Sequence, residues 1–310
     1  MIVTGAAEFL AAYSSEKFPV AAATTARAAF LVTPRGFTLA AESATDNRYM
    51  ANAGTDADGG VTDAARAIAQ HAALAIALRE SVPTVVFEGD PGAPDGVFPN
   101  NVFATARGRA IVGAMRHAVR RREAARADIR AYFRDALGYE IVDLSTQPIV
   151  AELTGALVID RGRGIGFCGL SERCDLAGAR AMHEAFGLKL TYCFELAAGE
   201  YHANVVLAQL ASRAVIIAAD GFAAAPDAEA IASVYAPNVL WLTRAQKIAF
   251  AGNAIALDPQ RVWMSERGAA ALTPQQRADL ARCGFALHDV ALDEIEKAGG
   301  SLRCCVGEIF

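Results

Sequence analysis

A chain of 310 residues, 54% hydrophobic and 20% charged, has material for one large core. Its formal charge of -5, pI near 5.6 and scattered basic residues (Arg120-Arg121-Arg122 apart) exclude an electrostatic nucleic-acid footprint, and no apolar run is long enough to span a bilayer. The six cysteines show no C-x-x-C pair or zinc-like spacing, and Glu8 in the first apolar stretch makes a poor secretion signal, so reduced thiols in the cytoplasm are expected.

Ala28–Val32 reads as the first strong strand, stopped by Thr33-Pro34-Arg35-Gly36. Residues Ser43 to Gly60, rich in Asn, Asp, Gly and Thr, read as a polar loop long enough to serve as a lid. Thr62 to Arg79 has helical periodicity with Asp63 near its start, and Thr84 to Phe87 reads as a strand. From Val97 a strand–turn–strand–helix–strand pattern repeats. The first unit has strands at Val97–Ala106 and Ala110–Met115, a helix over Arg120–Leu137 closed by Gly138, and a strand at Glu140–Leu144. The second has strands Ala156–Asp160 and Ile165–Gly169, helix Leu176–Phe186 closed by Gly187, and strand Leu188–Phe194. A third begins at Asn204, with strand Ala214–Ala219 and a helix near Asp227–Val234. A fourth has strands Ala254–Leu257 and Val262–Ser265, helix Pro274–Cys283 and strand Phe285–Leu292. Units of about fifty residues predict a ring around one centre, formed by the whole chain 1–310 as a single domain.

Polar residues recur at the strand starts: Asp95, Glu152, His202, Asn253 and Cys304, separated by 57, 50, 51 and 51 residues (152-95, 202-152, 253-202, 304-253). In a ring they would converge on one pocket. Taken alone, Cys304 and Cys305 could be buried fillers of a final strand, since free cysteine is often buried. With His202 and Glu152 recurring at the same period, the set reads as a nucleophile, an acid/base and an orienting carboxylate. Asp95 is an extra acid. It fits a guanidine or urea group, whose planar N–H donors a carboxylate can grip.

The stretches P-D-G-V-F-P-N-N (Pro94 to Asn101), F-C-G-L-S-E-R (Phe167 to Arg173), Y-H-A-N-V (Tyr201 to Val205), F-A-G-N-A (Phe250 to Ala254) and G-G-S-L-R-C-C (Gly299 to Cys305) together resemble the guanidino-group-modifying, or amidinotransferase, superfamily. The resemblance runs from about Ala28 to the end. It implies an α/β fold, the five-bladed α/β-propeller (pentein) with pseudo-fivefold ββαβ repeats. It implies Cys304 as nucleophile, His202 as general acid/base and Glu152 as the acid supporting the histidine; Leu153 stands where the superfamily often has glycine. It also implies Asp95, Phe98, Asn100, Asn101 and Asn253 as substrate contacts, with Arg120 and Arg173 on the substrate carboxylate. No metal or cofactor is required by that chemistry. The expected partner is a small-molecule amino acid, and a homodimer is compatible with the resemblance.

The dimethylarginine branch carries F-V-E-D where this chain has Phe98-Pro99-Asn100-Asn101. Two asparagines for two acids remove charge compensation for a buried guanidinium, whereas an amide offers a neutral ureido group both donor and acceptor. Citrulline hydrolysis to ornithine, carbon dioxide and ammonia is therefore expected first, arginine dihydrolysis next, and deimination of arginine or dimethylarginine after that. Amidino transfer and substrate binding without chemistry are the remaining readings.

Overall fold

The computed structural model describes residues 1–53 and 62–310. Among the described residues the strands form five small sheets. Three share one plan. Phe103–Ala106 runs antiparallel to Arg109–Val112, which runs parallel to Glu140–Asp143. Leu207–Leu210, Ala214–Ile217 and Val239–Trp241 repeat it, and so do Gly307–Ile309, Ala28–Val32 and Thr84–Phe87. Leu157–Asp160, Ile165–Leu170 and Leu190–Glu195 add a fourth strand, Ile2–Val3, in register Ile2 with Thr191. The fifth sheet pairs Arg261–Ser265 with Ala286–Val290 in parallel. The helical connections follow the sequence closely. Leu176–Phe186 starts at Asp175, whose side chain accepts the Gly178 N–H, and stops at Gly187, where φ of 63° suits a residue without Cβ.

Four sequence expectations are corrected. Pro99 opens a 3-10 turn, Pro99–Asn101, so the strand expected from Val97 begins only at Phe103. The helix expected over Arg120–Leu137 breaks into Ala118–Ala124, Ala127–Ala131 and a π turn Tyr132–Ala136. The break falls where Arg126 leaves helical geometry and donates to Glu88 O at 2.7 Å. Ala254–Leu257 makes a single bridge, Ile255 with Trp263, because Asp258 turns the chain by accepting the Gln260 and Arg261 amides. The loop expected over Ser43–Gly60 contains helices Ala41–Ala44 and Arg48–Ala53, and its residues 54–60 lie outside the described residues.

A chain of hydrogen bonds links the five units near the ends of their first strands. Thr154 Oγ1 donates to Asn100 O (2.8 Å), Asn204 Nδ2 to Thr154 O (3.1 Å) and Asn253 Nδ2 to Asn204 O (2.9 Å). Cys304 N then donates to Asn253 Oδ1 at 3.4 Å. The spacings are 54, 50, 49 and 51 residues (154-100, 204-154, 253-204, 304-253). Cys304 thus shares its place with Asn100, Thr154, Asn204 and Asn253. Glu152 and His202 sit two residues earlier, as N-caps of the single turns Leu153–Ala156 and Ala203–Val206. The five polar residues read from the sequence therefore occupy different steps of the repeat rather than one equivalent point.

The helix Ala64–Leu78 is capped by Asp63, whose side chain accepts the Arg66 N–H. On its inner face His71 is 2% exposed, with Nε2 lacking a partner among the described residues, and burial pushes its pKa down to about 4. The folded state therefore keeps His71 neutral while the unfolded chain takes up a proton below the ordinary 6.5. Stability is unaffected above 6.5 and falls as the pH drops towards 4, by up to about 3 kcal/mol. Denaturant titrations of His71→Leu at pH 7 and pH 4.5 should show a smaller acid loss than the native chain. An equal loss in both proteins would reject the assignment.

Candidate active site

A small cavity is lined by Cys304, His202, Asp95, Phe98, Asn100, Asn101, Arg120 and Arg173, together with Ser43, Asn47 and Tyr201. Eight of the ten residues expected from the sequence thus meet in one space. The other two stand directly behind it. Glu152 supports His202, and Asn253 supports Cys304. A larger groove of about 1750 Å³ lies elsewhere, along Arg107, Arg161 and Lys189, and contains none of them.

Cys304 lies in the turn Leu302–Cys305, just ahead of the final strand. Asn253 Nδ2 donates to its Sγ at 3.3 Å, and the thiol points to Asn204 Oδ1 at 3.9 Å. Burial pushes the thiol pKa up, against the pull of Asn253, Arg303 and Asn204. Two residues of the turn's approach allow this packing: a Cβ at Gly300 would stand 2.8 Å from the Phe98 ring, and Gly299 has φ of 76°.

His202 Nε2 meets Glu152 Oε2 at 2.8 Å. The ring lies against Tyr201, and a Cβ at Gly155 would come within 2.7 Å of it. Burial lowers the His202 pKa and outweighs the Glu152 carboxylate that raises it. Thiol and imidazole are therefore both uncharged at neutral pH in the empty site. Glu152 is fully buried and accepts three further hydrogen bonds, from Asn101 Nδ2 (3.1 Å), Arg173 Nη1 (3.3 Å) and Arg116 N (3.3 Å). Burial opposes its ionisation, but Arg173, His202 and Arg120 hold it well below the usual carboxylate range. Leu153 follows at φ 22°, a left-handed conformation that glycine adopts without strain.

The two arginines are already engaged. Arg120 donates to both Glu123 oxygens (2.6 and 2.9 Å), to Phe98 O and to Asn101 Oδ1. Arg173 grips Asp46 Oδ1 through Nε (2.9 Å) and Nη2 (2.6 Å). Asn101 is held between Arg120 and Glu152, whereas Asn100 Nδ2 has no partner among the described residues.

Sequence reasoning offered Ser43–Gly60 as a lid but missed what anchors its first part. Ser43 Oγ donates to Asp95 Oδ2 at 2.6 Å, and Asp46 also meets Arg116 and His117. Arg48 and Tyr49 both bond to buried Glu200, and Tyr201 OH donates to Gly299 O at 2.5 Å. Asp46, Arg48 and Tyr49 carry no local signal, because their partners Arg173 and Glu200 lie more than a hundred positions off in sequence. Among the described residues no group of three or more His, Cys, Asp or Glu is arranged to hold a metal ion.

The chain is a hydrolase of non-peptide C–N bonds within the amidinotransferase superfamily. A family model described as N,N dimethylarginine dimethylhydrolase, eukaryotic, matches residues 33–310, and the chain belongs to that family. Among solved structures, the N-terminal domain of ArgZ, an arginine dihydrolase from the ornithine–ammonia cycle in cyanobacteria, is similar over 91% of this chain and 97% of its own, with 18% identity and a TM-score of 0.77. Unliganded AgrE is similar over 91% of this chain and 39% of its own, with 19% identity and a TM-score of 0.78. A dimethylarginine dimethylaminohydrolase adduct with S-methyl-L-thiocitrulline is similar over 91% and 99%, with 22% identity and a TM-score of 0.67. No curated protein sequence matches the chain. At these identities the structural likenesses establish a shared mixed α/β fold.

Proposed function

We propose that the protein hydrolyses citrulline to ornithine, carbon dioxide and ammonia through a covalent Cys304 adduct. The observation that carries this reading is Asn100, a buried amide lining the same cavity as Cys304 and Asp95, with Nδ2 unpartnered among the described residues. A ureido oxygen would accept from that donor while its N–H groups face Asp95. A guanidinium has only donors and would leave the amide unsatisfied.

In the reaction His202 takes the Cys304 proton as sulfur bonds to the ureido carbon, then gives it to the departing nitrogen. Ammonia leaves and an S-alkylthiocarbamate remains. His202 next takes a proton from water, whose oxygen bonds to the same carbon, and the proton returns to sulfur as the C–S bond breaks. The released carbamate loses carbon dioxide to give ornithine. Glu152 orients the imidazole and balances its transient charge. Arg173 and Arg120 take the substrate carboxylate, with Arg173 freed when Asp46 moves aside, and Phe98 walls the pocket. The five sheets act in this reading as blades of a closed five-bladed propeller, one domain over residues 1–310, working in a reducing cytoplasm that keeps Cys304 a thiol.

Arginine dihydrolysis is the second reading. It is favoured by the likeness to ArgZ, and citrulline would be its intermediate. Purified protein should be given citrulline, arginine and dimethylarginine separately, with ammonia and ornithine measured. Ornithine from citrulline alone is expected. Ornithine from arginine as well would establish the dihydrolase, and citrulline accumulating from either guanidino substrate would overturn the ureido reading.

A further inference from the structure

The helix Ala64–Leu78 buries Leu74, Leu78 and Ala67, yet its outer side is apolar too. Ile76 is 67% exposed and Ile68 49%, and Ala65, Ala69, Ala72 and Ala73 between them are exposed. A helix apolar on both sides is one that is covered on both sides. We propose that this face is covered by the same face of a second copy of the chain, with the helices antiparallel about a two-fold axis beside Ala72 and Ala73.

The argument is self-complementarity. At 3.6 residues per turn, Ala65, Ala69, Ala72, Ala73 and Ile76 form one stripe, with Ile68 along one edge and Arg66 along the other, and the exposed Arg79 and Glu80 follow in the turn just past the helix end at Leu78. A two-fold axis brings together residues on the same edge whose numbers sum to about 145. The alanines meet at the crossing, where short side chains let the backbones approach. Ile76 then lies over the partner's Ala69, large against small. Ile68 covers the methylenes of the partner's Arg79. Arg66 faces the partner's Glu80, and the symmetry makes that charge pair twice. Arg66 has half of its side chain exposed even while it reaches Asp293 and, at 3.9 Å, Glu294, so its outer side stays open to a further acid. A parallel pairing would set Arg66 against Arg66 and Glu80 against Glu80. None of these residues lines the cavity that holds Cys304.

Sedimentation velocity on the full chain over a concentration series tests the proposal. A monomer–dimer equilibrium is expected. Ile76→Glu should raise its dissociation constant at least about tenfold while leaving ammonia release unchanged. Glu80→Arg should weaken the dimer and the double variant Arg66→Glu/Glu80→Arg should restore it. Ala73→Cys, which leaves the helix intact, should give a disulfide-linked dimer under mild oxidation. A chain that stays monomeric throughout overturns the proposal. So does a dimer that neither Ile76→Glu weakens nor Ala73→Cys crosslinks.

Discussion

Replacing Cys304 with serine should reduce ornithine formation by about four orders of magnitude or more, since in the proposed mechanism it removes the covalent nucleophile, and so the pathway and not one contact of many. Serine is close to isosteric here, and Asn253 Nδ2 can still donate to its oxygen, so the melting temperature should change little. The thiol's own behaviour gives a sharper test. Its pKa is pushed above the ordinary 9.0 by burial, and His202 is held below 6.5, so the resting pair is neutral. Alkylation of Cys304 by iodoacetamide in the empty enzyme should accelerate as the pH rises past 9.0. Activity on a neutral ureido substrate should hold through neutral pH and fall on the acid side only below 6.5, as His202 gains its proton. A guanidinium bound beside the sulfur would instead favour the thiolate and lower its pKa, by about one to three units. An alkylation profile with an apparent pKa below 7 in the empty enzyme would contradict the neutral pair.

Much of the machinery was legible in the chain because the fold repeats at near-constant spacing. Residues about fifty positions apart in neighbouring units come to meet, so His202 and Glu152, 50 residues apart, could be paired without coordinates. The repeat could not say which step each residue occupied. Asn253 and Cys304 belong to the hydrogen-bonded chain, and Glu152 and His202 to the step before it, because each strand is entered through a short turn that pattern reading merged with the strand. The N-terminal strand Ile2–Val3 and helix Ala6–Ser15 were missed for another reason. The two-residue strand is shorter than any pattern, and Phe9 is recognisable as core only through its stack on Tyr192, 4.6 Å away and 183 positions later (192-9). The anchors of the lid segment were hidden in the same way. Asp46 reads as a loop acid until Arg173 is found holding it, 127 positions on.

Glu152→Gln should be nearly as damaging as loss of the nucleophile, with a different signature. The carboxylate is the hub of four hydrogen bonds, and its charge balances Arg173 and part of Arg120 in a space without water contact. Glutamine keeps the shape, but its N–H2 must face either the His202, Asn101 and Arg173 groups gathered at Oε2 or the Arg116 backbone N–H at Oε1, and it leaves the buried Arg173 guanidinium with less counter-charge. Stability at neutral pH should fall by about 3–5 kcal/mol. The acid profile should change in a defined direction. The folded-state pKa of Glu152 lies well below its ordinary 4.5, so its contribution is complete above 4.5 and is lost as the pH falls through the folded value. The glutamine variant has no such contribution to lose, so its stability should decline less between neutral pH and strong acid than that of the native chain. For catalysis kcat should drop about a hundredfold to ten-thousandfold, with KM moving far less, because the imidazole loses its orientation and the partner for its transient positive charge. If Glu152→Gln lowered the melting temperature but left kcat within a few-fold of native, the residue would be a structural anchor for Arg173, and the orientation of His202 would have to come from Tyr201 and the glycine beneath the ring.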